Sequence, residues 1–304
     1  MKLAGWIAIA AVCALAPLAL AQQSREIEVR RDLAYGTHDG VSLIGDLYVP
    51  KASGKYPVIV AVHGGGWQGG SRTGYRYWGA YLAERGIALY AIDYRLSKPG
   101  QPSYPQAVHD VRAAVQFVKS KAVELKIDPD RVGMMGDSAG AQLAALVALA
   151  GDSPAFSTGY PSDAYANLST KVIAVVSAYG VFDLTAQWNH DQIERSFDQI
   201  SEKFIGKPPA EDRRVYFEAS PISYATRSNN QVSFLLTWGT VDDIADPATQ
   251  SQAFMTALKQ ANFFVRPVPV IGAPHFWFSD PIDDPRGHPG FVAPQVLRFL
   301  EARL

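Results

Sequence analysis

A continuous apolar run occupies residues 57–62, and mostly apolar runs occupy 87–92, 172–177 and 232–238, with a shorter one at 131–135. Such runs predict strands buried on both faces, as in a parallel sheet. Between them the spacing turns helical. Residues 107–121 carry apolar side chains at 108, 111, 114, 115 and 118, one face of a helix. Helices are also predicted over 75–85, 141–150, 247–261 and 290–303. The 141–150 segment is built of strong helix formers, and Pro247 sits in the first turn of the next. Residues 26–30 and 41–50 instead alternate polar with apolar, predicting an antiparallel pair that opens the sheet. Asp128-Pro129-Asp130 reads as a turn into the 131–135 strand. Residues 263–271 form the last strand, and Pro267 and Pro269, which cannot donate ladder hydrogen bonds, assign it to an edge. Strand and helix alternate, so the expected architecture is an α/β fold with a mostly parallel central sheet and helices on both faces. Residues 182–227 fit no strand-helix unit. Their prolines and scattered aromatics predict a cap inserted over the sheet.

Composition narrows this picture. The chain has 304 residues, 48% of them hydrophobic, and a formal net charge of −1. That is enough to build a large core, and it leaves no basic field to hold nucleic acid. Residues 1–21 have another character. Lys2 precedes an apolar run from Leu3 to Leu20, interrupted by Pro17, and Ala19-Leu20-Ala21 supplies small residues at a cleavage site. This predicts a signal peptide, a catalytic domain over 22–304, a secreted or periplasmic location, and no membrane insertion after cleavage. Cys13, the only cysteine, lies in that leader, so the mature chain has no disulfide and no cysteine-ligated metal. Exported protein is expected to begin at Gln22. Mass spectrometry that finds Met1 on the exported chain refutes this.

The chemistry centres on Gly136-Asp137-Ser138-Ala139-Gly140. A Gly-x-Ser-x-Gly between a buried strand and a helix is the context of a nucleophile elbow, which lifts a serine above the sheet edge. The Ala139 amide then lies at a helix start, where it can meet a developing oxyanion. A serine hydroxyl is a weak nucleophile and needs a base, itself oriented by an acid. In this architecture they follow in the order serine, acid, histidine. Of the six histidines, His38, His63 and His109 precede Ser138, and His190 falls in the cap. His275, in the loop after the last strand, is favoured as base over His288. The loop after residue 238 offers Asp242, Asp243 and Asp246 as the acid. Asp242 is favoured, with Asp243 its rival. Asp246 reads as a helix cap, and so does Asp183. Gly64, Gly65 and Gly66 follow a buried strand, and Gly65 and Gly66 are the expected oxyanion donors beside Ala139. His63 is expected to brace that loop. Trp67, Trp188 and Phe276 are the candidate substrate contacts.

With these motifs together, the chain resembles the α/β-hydrolase superfamily, nearest to hormone-sensitive-lipase-like and feruloyl-esterase-like (BD-FAE-type) carboxylesterases. The likeness is carried by Gly45 to Pro50, His63 to Trp67, Asp93-Tyr94-Arg95-Leu96, Pro105 to Asp110, Asp128 to Arg131, Gly136 to Gly140, Gly239 to Asp242 and Ala273-Pro274-His275. No long helical segment precedes His63, which favours the feruloyl-esterase-like branch. The resemblance implies a serine ester hydrolase with Ser138, Asp242 and His275 as its triad, needing no metal or cofactor. Its substrate would be a small-molecule or carbohydrate-linked ester. A peptidase or formamidase on the same scaffold, and a non-catalytic binding module, are the competing readings.

Overall fold

The computed structural model describes residues 25–304. The leader assigned to residues 1–21 lies outside them. An eight-stranded sheet runs in the order β1-β2-β4-β3-β5-β6-β7-β8. Its first strands, β1 (Ile27–His38) and β2 (Val41–Pro50), pair antiparallel, and β2 lies antiparallel to β4 (Ala88–Ile92). All other pairings are parallel, through β3 (Tyr56–Val62), β5 (Ile127–Asp137), β6 (Ala174–Ala178), β7 (Ser233–Gly239) and β8 (Val265–Val270). Every residue of β3, β4 and β6 is buried. This is what the apolar runs demand of strands covered by helices on both faces.

The helices are α1 (Arg76–Ala83), α2 (Gln106–Ser120), α3 (Ala139–Ala150), α7 (Ala253–Gln260) and α8 (His288–Arg303). Three more, α4 (Leu184–Glu194), α5 (Ile200–Ile205) and α6 (Arg213–Ala219), fill the insertion between β6 and β7. Asp183 caps α4, its carboxylate accepting from the Thr185 and Ala186 amides at 2.9 Å. Strand β8 is an edge, as its prolines require.

Three local expectations differ. Strand β1 runs on to His38, because bulges between Arg30 and Leu33 and between Ala34 and Gly36 break the two-residue alternation that marks a strand. The Asp128-Pro129-Asp130 segment belongs to β5, and an irregularity between Tyr56 and Val58 of β3 absorbs it. The helix after Pro247 opens with a π-turn over Ala248–Gln252 before α7 begins.

Strand register decides where chemistry can gather. Val62 pairs with Gly136, Asp137 with Ala178, Ala178 with Thr237, and Gly239 with Val270. The parallel strands therefore end level. The loops carrying His63–Trp67, Ser138, Asp242 and His275 all leave from one edge of the sheet.

Candidate active site

Ser138 stands between β5 and α3 with φ 52° and ψ −122°, a backbone that L-residues rarely adopt. Its amide donates to the Ala178 carbonyl at 2.9 Å, which ties the strained residue to the neighbouring strand. The turn also needs Gly140, where a Cβ would strike the Val62 carbonyl. Helix α3 is buried along nearly its whole length, so the elbow rests on a rigid support.

The structure brings Ser138, His275 and Asp242 together. Ser138 Oγ lies 2.9 Å from His275 Nε2, and His275 Nδ1 lies 2.7 Å from Asp242 Oδ2. A carboxylate can only accept, so Nδ1 carries the proton and Nε2 is free to accept from the serine hydroxyl. Asp242 Oδ1 accepts from the amides of Ile244 at 3.0 Å and Ala245 at 2.9 Å. Both carboxylate oxygens are thus committed. Asp243 points elsewhere and is exposed, and Asp246 accepts from the Thr249 amide at 3.0 Å as the cap of the next turn. His288 begins α8 beside Trp277, and the His190 ring meets the Asp243 carbonyl at 3.0 Å. Ser138 is only 3% exposed, which keeps the local dielectric low.

Facing the serine is the loop after β3. Gly65, Gly66 and Trp67 have φ of 120°, 59° and 57°. Successive amides in such a turn form a concave anion-binding surface. Among the described residues, the amides of Gly65, Gly66 and Ala139 donate to no other protein group. His63 braces this loop. Its Nδ1–H donates to the Gly64 carbonyl at 2.7 Å and its ring stacks on Tyr94 at 4.4 Å. Burial lowers its pKa and keeps it neutral.

Two supports were not evident from the residue pattern. Asp137, the residue before the nucleophile, is buried and accepts from the Gly64 amide at 3.1 Å and the Tyr75 hydroxyl at 2.9 Å. Burial raises its pKa. Gln142, four residues past Ser138, is also buried and hydrogen-bonded at both ends of its amide. A polar side chain inside an otherwise apolar helix (139–150) is the signal that could have singled it out.

The aromatic candidates separate. Phe276 is 64% exposed, and its ring stands edge-on to His275 at 4.5 Å. Trp188, on α4, donates to Glu202 Oε2 at 3.0 Å. Trp67 is corrected: it is 0% exposed, stacked on Phe204 at 4.4 Å, and belongs to the core and not to an open substrate surface. A groove of about 520 Å³ opens beside this loop, between residues 97–102 and the cap, with Gln68, Gln101, Gln199 and Phe197 in its walls.

A mostly parallel eight-stranded sheet, with a serine on its strand-helix elbow and an acid and a histidine in loops from the same edge, defines the α/β-hydrolase fold. Within that class the BD-FAE family model matches residues 45–258, and the chain belongs to this family. It is 28% identical over 250 residues to the probable carboxylic ester hydrolase LipM of Mycobacterium tuberculosis, covering 81% of this chain and 55% of that protein. Over 210 residues it is 33% identical to esterase LipQ of the same organism, covering 68% of this chain and 47% of that one. The chain spans about half the length of these curated relatives. Butyrate-bound esterase 2 of Thermogutta terrifontis matches with a TM-score of 0.69 at 24% identity, covering 93% of this chain and 94% of that one. A truncated carbohydrate esterase from gut microbiota matches with a TM-score of 0.73 at 21% identity, covering 93% and 99%. These two structures share the fold.

Proposed function

We propose that the chain is a serine carboxylic ester hydrolase that works through Ser138, His275 and Asp242. The observation that carries this reading is the unbroken line of short contacts from Asp242 Oδ2 through His275 to Ser138 Oγ, at 2.7 and 2.9 Å. Ser138 Oγ attacks the ester carbonyl carbon while its proton passes to His275 Nε2. The carbonyl oxygen becomes an oxyanion and accepts from the amides of Gly65, Gly66 and Ala139. Collapse expels the alcohol, which takes the proton from Nε2 and leaves an acyl group on Ser138. Water, deprotonated by the same nitrogen, attacks this acyl-enzyme, and the acid departs as the proton returns to Oγ.

Small acyl and aryl esters are the proposed substrates, with Phe276 beside the reacting group and Trp188 of the cap as the further proposed contact. The amide-rich groove at Gln68, Gln101 and Gln199 supports a second reading, a feruloyl or acetyl esterase on cell-wall carbohydrate. A panel of p-nitrophenyl and sugar esters, scored by kcat/KM, tests both. No turnover of any ester refutes the reading, and sugar esters no better than alkyl esters refute the second. The leader-like pattern of residues 1–21, with Ala19-Leu20-Ala21 as its proposed cleavage site, supports the proposal that the enzyme meets these esters outside the cytoplasm.

The oxyanion assignment makes a prediction of its own. At Gly65 a Cβ would collide with the Gly69 carbonyl, whereas at Gly66 it would sit 3.4 Å from Ile200 Cγ2. Gly65→Ala is therefore expected to lower kcat by about a hundredfold or more, with KM changed far less. Gly66→Ala, at a φ that Trp67 itself tolerates, is expected to lose less. Both are measured as kcat per titrated active site beside the thermal midpoint. A normal kcat with a lowered midpoint reduces Gly65 to a turn residue.

A further inference from the structure

The oxyanion loop contains a conformational oddity. Trp67, a bulky residue, has φ 57°, directly after two glycines that also have positive φ. Large side chains are disfavoured there, so the surroundings must hold the loop in this shape. The Ser97 amide donates to the Trp67 carbonyl at 2.7 Å, and the side-chain part of the hold comes through the indole. It stacks on Phe204 of the cap with ring planes 10° apart, and its Nε1–H donates to Gln142 Oε1 at 2.9 Å. Gln142 is itself fixed. Its Nε2–H donates to the Ala219 carbonyl at 2.8 Å, and its backbone amide donates to the Ser138 carbonyl at 3.1 Å.

The two halves of the oxyanion pocket stand on different elements: Gly65 and Gly66 on the loop after β3, and Ala139 on α3. The indole–amide bond from Trp67 to Gln142 is a buried side-chain link between them. We propose that Trp67 and Gln142 are a pair of positioning residues that set the distance between the nucleophile helix and the oxyanion loop. Neither touches the reacting atoms. The inference rests on the ester hydrolase reading above. Its physical basis is that an oxyanion donor acts only within hydrogen-bond distance of where the charge will develop. A displacement of about 1 Å can cost on the order of a hundredfold. The link also extends into the cap, through Phe204 of α5 and Ala219 of α6. Cap packing and oxyanion geometry are therefore joined through this pair of side chains.

The test is a double-mutant cycle on the full chain with p-nitrophenyl acetate. Trp67→Phe keeps a ring to stack on Phe204 but has no indole N–H. Gln142→Leu keeps the volume but cannot accept. Each is expected to lower kcat per titrated active site by about tenfold to a hundredfold, with KM changed by less than about threefold. The double variant is expected to fall no more than about twofold below the worse single, because both remove one link. Affinity for phenylboronic acid should fall in parallel. Ser138 Oγ adds to its boron, the serine proton moves to His275, and the tetrahedral anion places a boron-bound oxygen in the pocket. A purely structural role would lower the thermal midpoint and leave boronate affinity unchanged. Should Gln142→Leu not fold, Gln142→Met is read in the same way. Singles within about twofold of wild type, or a double variant whose loss is the product of the two, overturn the proposal. Wild-type turnover of the same ester is the separate control. An inactive wild type sinks the hydrolase reading and this inference together, whereas an active wild type with indifferent variants sinks the inference alone.

Discussion

Ser138→Ala is expected to fold and to lose kcat by about a million-fold, leaving the residual rate that an oxyanion pocket alone supplies. The expectation follows from the geometry. Oγ is the only atom removed, and its contact is His275 Nε2 at 2.9 Å. The backbone that holds position 138, its amide on the Ala178 carbonyl and its carbonyl accepting from Gln142, remains. The thermal midpoint should therefore stay level or rise slightly, as is common when a strained, polar site is simplified. Steady-state turnover of p-nitrophenyl acetate, with calorimetry on the same sample, checks both halves. Activity above a few per cent, in protein free of wild type, removes Ser138 from its proposed role.

Asp242→Asn is expected to cost about ten-thousand-fold in kcat with little change in fold. The environment of Asp242 dictates which way the new amide faces. The Ile244 and Ala245 amides both donate to Oδ1, so an asparagine must keep its carbonyl oxygen there. Its NH2 then confronts His275 Nδ1 and forces that nitrogen to accept. The proton moves to Nε2, which can no longer take one from Ser138. Asp243→Asn touches none of this and is expected to stay within a few-fold of wild type. A larger loss for Asp243→Asn than for Asp242→Asn would transfer the acid role to Asp243.

Features whose physics is local were the legible ones. Buried strands announce themselves as mostly apolar runs, and the order of Ser138, Asp242 and His275 along the chain follows from strand-end loops on a parallel sheet. Pro267 and Pro269 marked β8 as an edge because a missing N–H is a property of the residue itself. What remained hidden depends on contacts distant in sequence. Nothing around residue 67 tells an indole lining a cleft from one buried against Phe204, since either is an aromatic after glycines. Asp137 reads as a variable position of the elbow until Tyr75, 62 residues earlier, is seen to donate to it. The length of β1 was invisible for the opposite reason: its bulges erase the periodicity that sequence reasoning uses.

The two outer margins of the sheet bear on how the molecule behaves when crowded with its own kind. Thr240 donates to the Val270 carbonyl and Phe234 to the Phe264 carbonyl, so the even-numbered residues of β8 face β7. Pro267 and Pro269 therefore fall on the outward side, and of the three outward positions at which an incoming strand would seek donors only Val265 has one. At the opposite margin, the irregularities of β1 at residues 30–36 spoil the flat template that a second chain would need. A sheet of eight strands thus terminates chemically at one side and geometrically at the other, and its growth into fibrils by strand addition is opposed at both.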